Sequence, residues 1–136
     1  VPGCPDNRFS VFKCNWGFSQ DQNIAPVWLG EFGASLGLDE FGVSAAPYSN
    51  YATEETQWLD TLASYLNGNY TGTSPALPDG KKGINFGYFC LNNSVVPLGL
   101  IKTGTLWSQM HAIKLSHLSP LFNDGENFVP VPVPNP

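Results

Sequence analysis

Hydrophobic and polar positions along this chain follow two periods. Near the N-terminus Phe9, Phe12 and Trp16 recur at i, i+3 and i+7, the spacing of a helical stripe. Asp6 or Asn7 stands where the cap of that helix belongs, and Gly17 is placed to end it or to begin a loose last turn. Residues 19–23 are polar and read as a connection. Residues 24–32 form a short apolar run with one proline near its start and a single charge, Glu31, at its C-terminal end. Both sides of the run are apolar, as expected of a parallel strand covered on both faces. The next helix starts at Thr53, a good N-cap, with Glu54 and Glu55 in its first turn, where the helix dipole favours acids. Trp58, Leu59, Leu62, Tyr65 and Leu66 mark its apolar face and Gly68 its stop. A second strand, rich in aromatics, is expected at 84–91. A last helix is expected at 106–118, with Trp107, Met110, Ile113, Leu115 and Leu118 as apolar positions.

The connections are long. Residues 33–51 are rich in Gly, Ser, Ala and Pro, and loops of that length in compact domains tend to be functional. Residues 69–83 and 92–105 carry further turn signals, among them Pro75, Pro78, Asp79-Gly80, Pro97, Gly99 and Gly104. From Ser119 the chain reads as a Pro-rich tail closing in Val-Pro-Val-Pro-Asn-Pro, an extended polyproline-like segment. The domain division is therefore 1–118 and 119–136. Helix, strand, helix, strand, helix is the alternation of parallel βα units, so the fold class is α/β. Two parallel strands are too few for a sheet covered on both faces. The units read as a piece of something larger, whose inner faces need burial against another chain or copies of itself.

Composition narrows the partners. Of 136 residues 42% are hydrophobic and only 12% charged, about half the usual charged fraction of a soluble domain. That leaves ample material for a core and excludes disorder for most of the chain. The net charge is −5 and the six basic residues are scattered apart from Lys81-Lys82. Such a surface neutralises neither a phosphate backbone nor an anionic bilayer, so nucleic acid and membrane are not expected as partners. A neutral polysaccharide, held by aromatic stacking and hydrogen bonds, is compatible. No stretch is long and apolar enough to span a bilayer. The opening Val1-Pro2-Gly3-Cys4 has neither a basic start nor an apolar run, and reads as a mature, processed or truncated end rather than a signal peptide.

Cys4, Cys14 and Cys90 are three, an odd number, which leaves one unpaired or bonded to another chain. Cys4 and Cys14 flank a segment short enough to close as a loop. Three buried thiols acting as small apolar groups are the alternative. Two N-x-S/T sequons, at Asn69 and Asn92, join the cysteines in pointing towards a secreted, disulfide-bonded glycoprotein. The cysteines lack zinc spacing, and His111 and His117, six residues apart, do not share a helix face, so they read as ordinary surface or helix-end histidines. No metal and no cofactor is expected. Neither a phosphate loop nor a serine-hydrolase elbow is present.

In parallel α/β folds functional residues sit at the C-terminal ends of strands, where Glu31 lies, and a carboxylate there can act as nucleophile or base in glycoside hydrolysis. The surrounding string is more specific. Asn15-Trp16-Gly17-Phe18 and Asn23-Ile24-Ala25-Pro26-Val27-Trp28-Leu29-Gly30-Glu31-Phe32-Gly33 resemble family 5 glycoside hydrolases of the cellulase type. Thr56-Gln57-Trp58-Leu59 with Leu62, Tyr65 and Leu66 is similar to the helix after the nucleophile strand. Gly87-Tyr88-Phe89-Cys90-Leu91-Asn92 resembles the eighth strand, Gly99-Leu100-Ile101 the segment beyond it, and Trp107 the start of the last helix. The likeness runs from about residue 10 to 118, with extra residues in 36–52 and 69–83.

The resemblance implies the C-terminal part of a (β/α)8 TIM barrel: helix 6, strand 7, helix 7, strand 8 and helix 8. It implies a retaining endoglucanase acting on β-1,4-linked glucan, with Glu31 as nucleophile and Trp28, Phe89 and Asn92 as substrate contacts. The acid/base glutamate belongs to strand four of the family and would come from a complementary N-terminal barrel chain. Two departures stand out. Phe89 occupies the place of the family's stacking tryptophan, and Ser94-Val95-Val96-Pro97-Leu98 replaces its acidic, Gly-rich stretch. Asp39 and Glu40 follow Glu31 in the chain, but no family pattern makes either the acid. Two further readings come from other classes. One is a non-catalytic, cellulase-derived structural protein assembling into oligomers or filaments. The other is a carbohydrate-binding module using Trp28, Tyr88 and Phe89.

Overall fold

The computed structural model describes residues 8–22, 24–68, 84–91, 97–104 and 110–122. Helix α1 (Arg8–Phe12) runs on through a π turn at Lys13–Gly17 into α2 (Phe18–Asp21). Strand β1 is Trp28–Phe32, helix α3 Ala52–Leu66, strand β2 Asn85–Tyr88 and helix α4 Ala112–Phe122. The two strands pair in parallel, so the chain is α/β with a small parallel sheet. Among the described residues no helix is long and apolar enough to cross a membrane.

The core lies between one face of the sheet and helices α3 and α4, which pack on each other. Leu59, Leu62, Tyr65 and Leu66 of α3, Phe32 of β1, Ile84, Leu100 and Leu118 of α4 are all buried in it. Each fully buried leucine contributes about 1.5–3 kcal/mol by leaving water. The 3.6-residue stripe read from the sequence is thus the buried stripe of α3. Only its start differs: Thr53 lies inside the helix, which follows a 3-10 turn at Tyr48–Tyr51 with Tyr51 at the cap. Gly68 ends it at φ 75°, its N–H donating to the Tyr65 carbonyl.

Gly17 does not stop the first helix. An added Cβ there would lie 1.8 Å from the Tyr65 hydroxyl, so glycine is what lets the helix pass over that ring. Phe12 and Trp16 flank the same ring at 5.5 and 5.1 Å, both edge-on, which anchors the N-terminal helices to α3.

The last helix begins at Ala112 and continues through Pro120 to Phe122, so residues 119–122, read as the start of the tail, are helical. Its inward face is the expected one in part: Leu118 lies in the core and Met110 and Leu115 pack against it, while Trp107 lies outside the described residues. Lys114 and Leu118 are fully buried, whereas Ile113 is 53% exposed.

Residues 33–51 are no detached loop. Ala34, Ser35, Leu36 and Leu38 are buried, Leu38 bridges to Ser44, and the Ala46–Pro47 peptide is cis. Asn69, Asn92, Cys4 and the tail beyond Phe122 lie outside the described residues, so the sequons and the Cys4–Cys14 loop do too. No disulfide joins Cys14 to Cys90.

Candidate functional site

Strand β1 carries an irregularity that decides where Glu31 points. Leu29 pairs with Phe86 and Phe32 with Tyr88, so three steps on β1 match two on β2. That is a bulge, with one residue more on β1 than the pleat requires. Leu29 packs against the core and Phe32 is buried in it, while Gly30 and Glu31 between them are both exposed. Strict alternation would have turned Glu31 inwards with Leu29; the bulge turns it out.

The covered side of the sheet is aromatic. Phe32 sits 5.7 Å from Phe86, 5.4 Å from Tyr88 and 6.4 Å from Trp58 of α3. The other side is bare. Trp28 is 67% exposed and Phe89, just past β2, 41% exposed, with Asn85 also exposed. Trp28, Glu31 and Phe89, the candidate contacts and nucleophile, therefore all lie off the packed face; Asn92 lies outside the described residues. The strand ends are held close by Gly33, whose missing side chain would stand 2.2 Å from the Phe89 carbonyl oxygen. Phe89 N–H donates to the Phe32 carbonyl at 2.7 Å. Among the described residues Glu31 makes no hydrogen bond or ion pair. Asp39 is committed elsewhere: its Oδ1 accepts N–H bonds from Phe41 and Val43 at 3.0 and 2.8 Å, closing a turn.

Beneath the strand ends lies a buried polar cluster that the sequence reading did not single out. The Glu55 carboxylate accepts the Ser35 hydroxyl and, at 2.7 Å, the Leu36 N–H. Those bonds hold a turn in which Leu36 has φ 54° and Gly37 φ 78°. A left-handed leucine costs about 1–2 kcal/mol, which charge-assisted bonds to its own amide offset. Lys114 donates to the carbonyls of Pro97 and Gly99, the latter at 3.0 Å, and the Tyr88 hydroxyl donates to Leu98 between them at 3.0 Å. Three successive carbonyls of the segment after β2 are thereby satisfied by side chains.

Burial lowers the Lys114 ammonium to about 8, against the pull of Glu55 and Cys90. Burial raises the Tyr88 phenol to about 12. His111 is buried too, not on the surface, and is lowered to about 4 by burial and by Lys114 and Lys102. His117 bonds Asp60 through Nδ1 at 2.6 Å, tying α4 to α3. One signal for the buried pair was present in the sequence: His111, Lys114 and Leu118 stand at i, i+3 and i+7, the spacing of a face.

No family model matches this chain.

Proposed function

We propose that this chain is the C-terminal part of a retaining β-1,4-glucanase-like barrel, with Glu31 as its nucleophile. One observation carries the reading: an exposed carboxylate at the C-terminal end of a parallel strand, off the packed face of a sheet that also exposes the rings of Trp28 and Phe89. Glu31 would attack the anomeric carbon. A second carboxyl group about 5–5.5 Å away would protonate the leaving oxygen and then activate water. That group comes from complementary strands, in the same or another polypeptide, which would also cover the bare face. Trp28 and Phe89 would stack on sugar rings, a contact that needs no charge. Secretion, a disulfide and glycosylation belong to the same reading.

The test is hydrolysis of a soluble β-glucan by the native particle containing this chain. Activity abolished by Glu31→Gln, with products retaining the anomeric configuration, is the expected result. Hydrolysis that survives Glu31→Gln shows that the nucleophile lies elsewhere.

A second reading is favoured by the sheet edges, both unpaired among the described residues, and by the exposed Ile24, Trp28, Phe41 and Val43. Copies of the chain would cover these faces themselves, as subunits of a structural assembly with an idle Glu31. Mass analysis of the native particle separates the two. Copies of this chain alone, with no hydrolysis, leave only the structural reading.

A further inference from the structure

The buried ammonium of Lys114 has no part in sugar chemistry. Its whole side chain is inaccessible, and its Nζ is spent on two backbone carbonyls of the segment after β2. That segment is wedged among the elements that carry the candidate site. Leu98 lies beside Gly33 at the exit of β1, Leu100 N–H donates to Cys90 just past β2, and His111 N–H donates to Leu100. Releasing the Lys114 bonds would free the wall behind both strand ends. Among the described residues the titratable groups facing Lys114 or its acceptors are Glu55 from α3, Tyr88 of β2, Cys90 past β2, and His111 one turn back on its own segment.

Two effects oppose each other. A charged amine bonds carbonyls more strongly than a neutral one, which favours the closed arrangement while Lys114 is protonated. Burying the charge favours its exit to water. The second is larger, since burial is the leading influence on this amine and the Glu55 and Cys90 attractions do not cancel it.

We propose that Lys114 is a proton-controlled latch on residues 97–101: protonated, it favours release of the segment to water, and deprotonated it favours the closed arrangement. The latch tightens as pH rises, and it holds whether or not Glu31 is a nucleophile. An opened lysine has the ordinary affinity for its proton and the closed one a lower affinity. Linkage then makes the opening constant fall about tenfold between about pH 7 and about pH 9.

Native-state trypsin digestion reads this directly, because cleavage after Lys102 tracks the open population when reclosing is fast. The rate is divided by that of an unstructured peptide covering the same bond. The expected result is a normalised rate that falls about tenfold over that range in the wild-type chain and stays flat in Lys114→Met. A wild-type rate that does not fall, an equal fall in Lys114→Met, or a parallel fall in cleavage after Lys13 overturns the latch; the last would mean global opening. If Lys114→Met does not fold, the Lys114 Cε resonance decides: a midpoint near 8 supports the latch, and one at the ordinary lysine value refutes it.

Discussion

Acidification should destabilise this protein through one residue, His111. His111 is 3% exposed, with its ring against the Gly42 turn and its backbone bonded at both ends, to Leu100 and Leu115. Burial, then Lys114 and Lys102, push its imidazole from 6.5 down to about 4, and Asp39 opposes them only in part. The unfolded chain therefore takes up a proton that the folded chain refuses. Stability from the neutral ring is complete above about pH 6.5 and is lost as pH falls towards 4. The gap of about 2.5 units corresponds to about 3 kcal/mol over the whole window, and about 2 kcal/mol is lost between about pH 7 and about pH 5. That is a large share of the 5–15 kcal/mol typical of a domain.

Urea unfolding followed by tryptophan fluorescence at pH values across that range measures the loss. His111→Gln cannot titrate and should lose about 2 kcal/mol less than the wild type over the same interval, whatever its starting stability. His117 is present in both proteins, so its contribution cancels from the comparison. Parallel losses in the two proteins would refute the argument. So would a wild-type stability that stays flat down to about pH 5, because either result means that the folded chain admits the proton at His111.

Four substitutions and one alkaline titration test the rest of the packing. Gly17→Ala drives a methyl into the Tyr65 ring and should cost about 1–3 kcal/mol in urea midpoint, against a near-neutral change for Gly30→Ala, where an added Cβ meets nothing within 4 Å. Leu59→Ala, at a fully buried position, should cost about 2–5 kcal/mol in the same assay. Glu55→Gln keeps the shape but weakens the bonds to Ser35 and Leu36, and should cost about 1–3 kcal/mol together with faster amide exchange at Leu36. Above neutrality Lys114 binds its proton less tightly folded than unfolded, so stability should rise from about pH 8 towards 10. Tyr88, held protonated to about 12, then reverses the trend above 10, and a monotonic rise would contradict its burial.

The elements were legible in the sequence wherever one period ran unbroken. Helix α3 repeats its apolar residues from Trp58 to Leu66, over more than two turns, and its buried face is the one the spacing gives. Strand β1 was legible as a strand, but not its bulge, because a bulge is set by pairing with β2, and nothing within Trp28–Phe32 announces it. Gly17 was legible only in part: one last turn does follow it, but a glycine that loosens a helix and a glycine making room for a distant tyrosine look the same locally. Lys114 hid because a lysine on an apolar face is ordinarily discounted. It reaches the interior only where carbonyls of another segment are waiting, 15 and 17 residues away. Glu55 was read for its helix dipole, yet its carboxylate serves a turn 19 residues earlier. Each miss turns on a long-range partner: spacing can mark a buried face, as it does for His111, Lys114 and Leu118, but it does not name what that face meets.

The two sides of the sheet differ in kind, and that difference bears on Glu31. On the packed side the polar groups described above are paired: Glu55 with the 35–37 turn, Lys114 and Tyr88 with the 97–99 carbonyls, His117 with Asp60. On the other side large rings are exposed to water, and so is a carboxylate that has no partner among the described residues. On the glucanase reading, solvent of high dielectric would weaken the charge stabilisation Glu31 gives an oxocarbenium-like transition state, and the opposing proton donor would have no fixed place. Covering strands would change both at once, by excluding water and by fixing a second carboxyl at the required distance. If the glucanase reading holds, binding of the complement and the onset of hydrolysis must therefore coincide. A substitution confined to the bare face, such as Trp28→Ala, should weaken both while leaving the urea stability of the isolated chain unchanged within about 0.5 kcal/mol. If Trp28→Ala instead destabilises the isolated chain by several times that amount, its ring is already part of the core and the bare face is not where the chemistry is assembled.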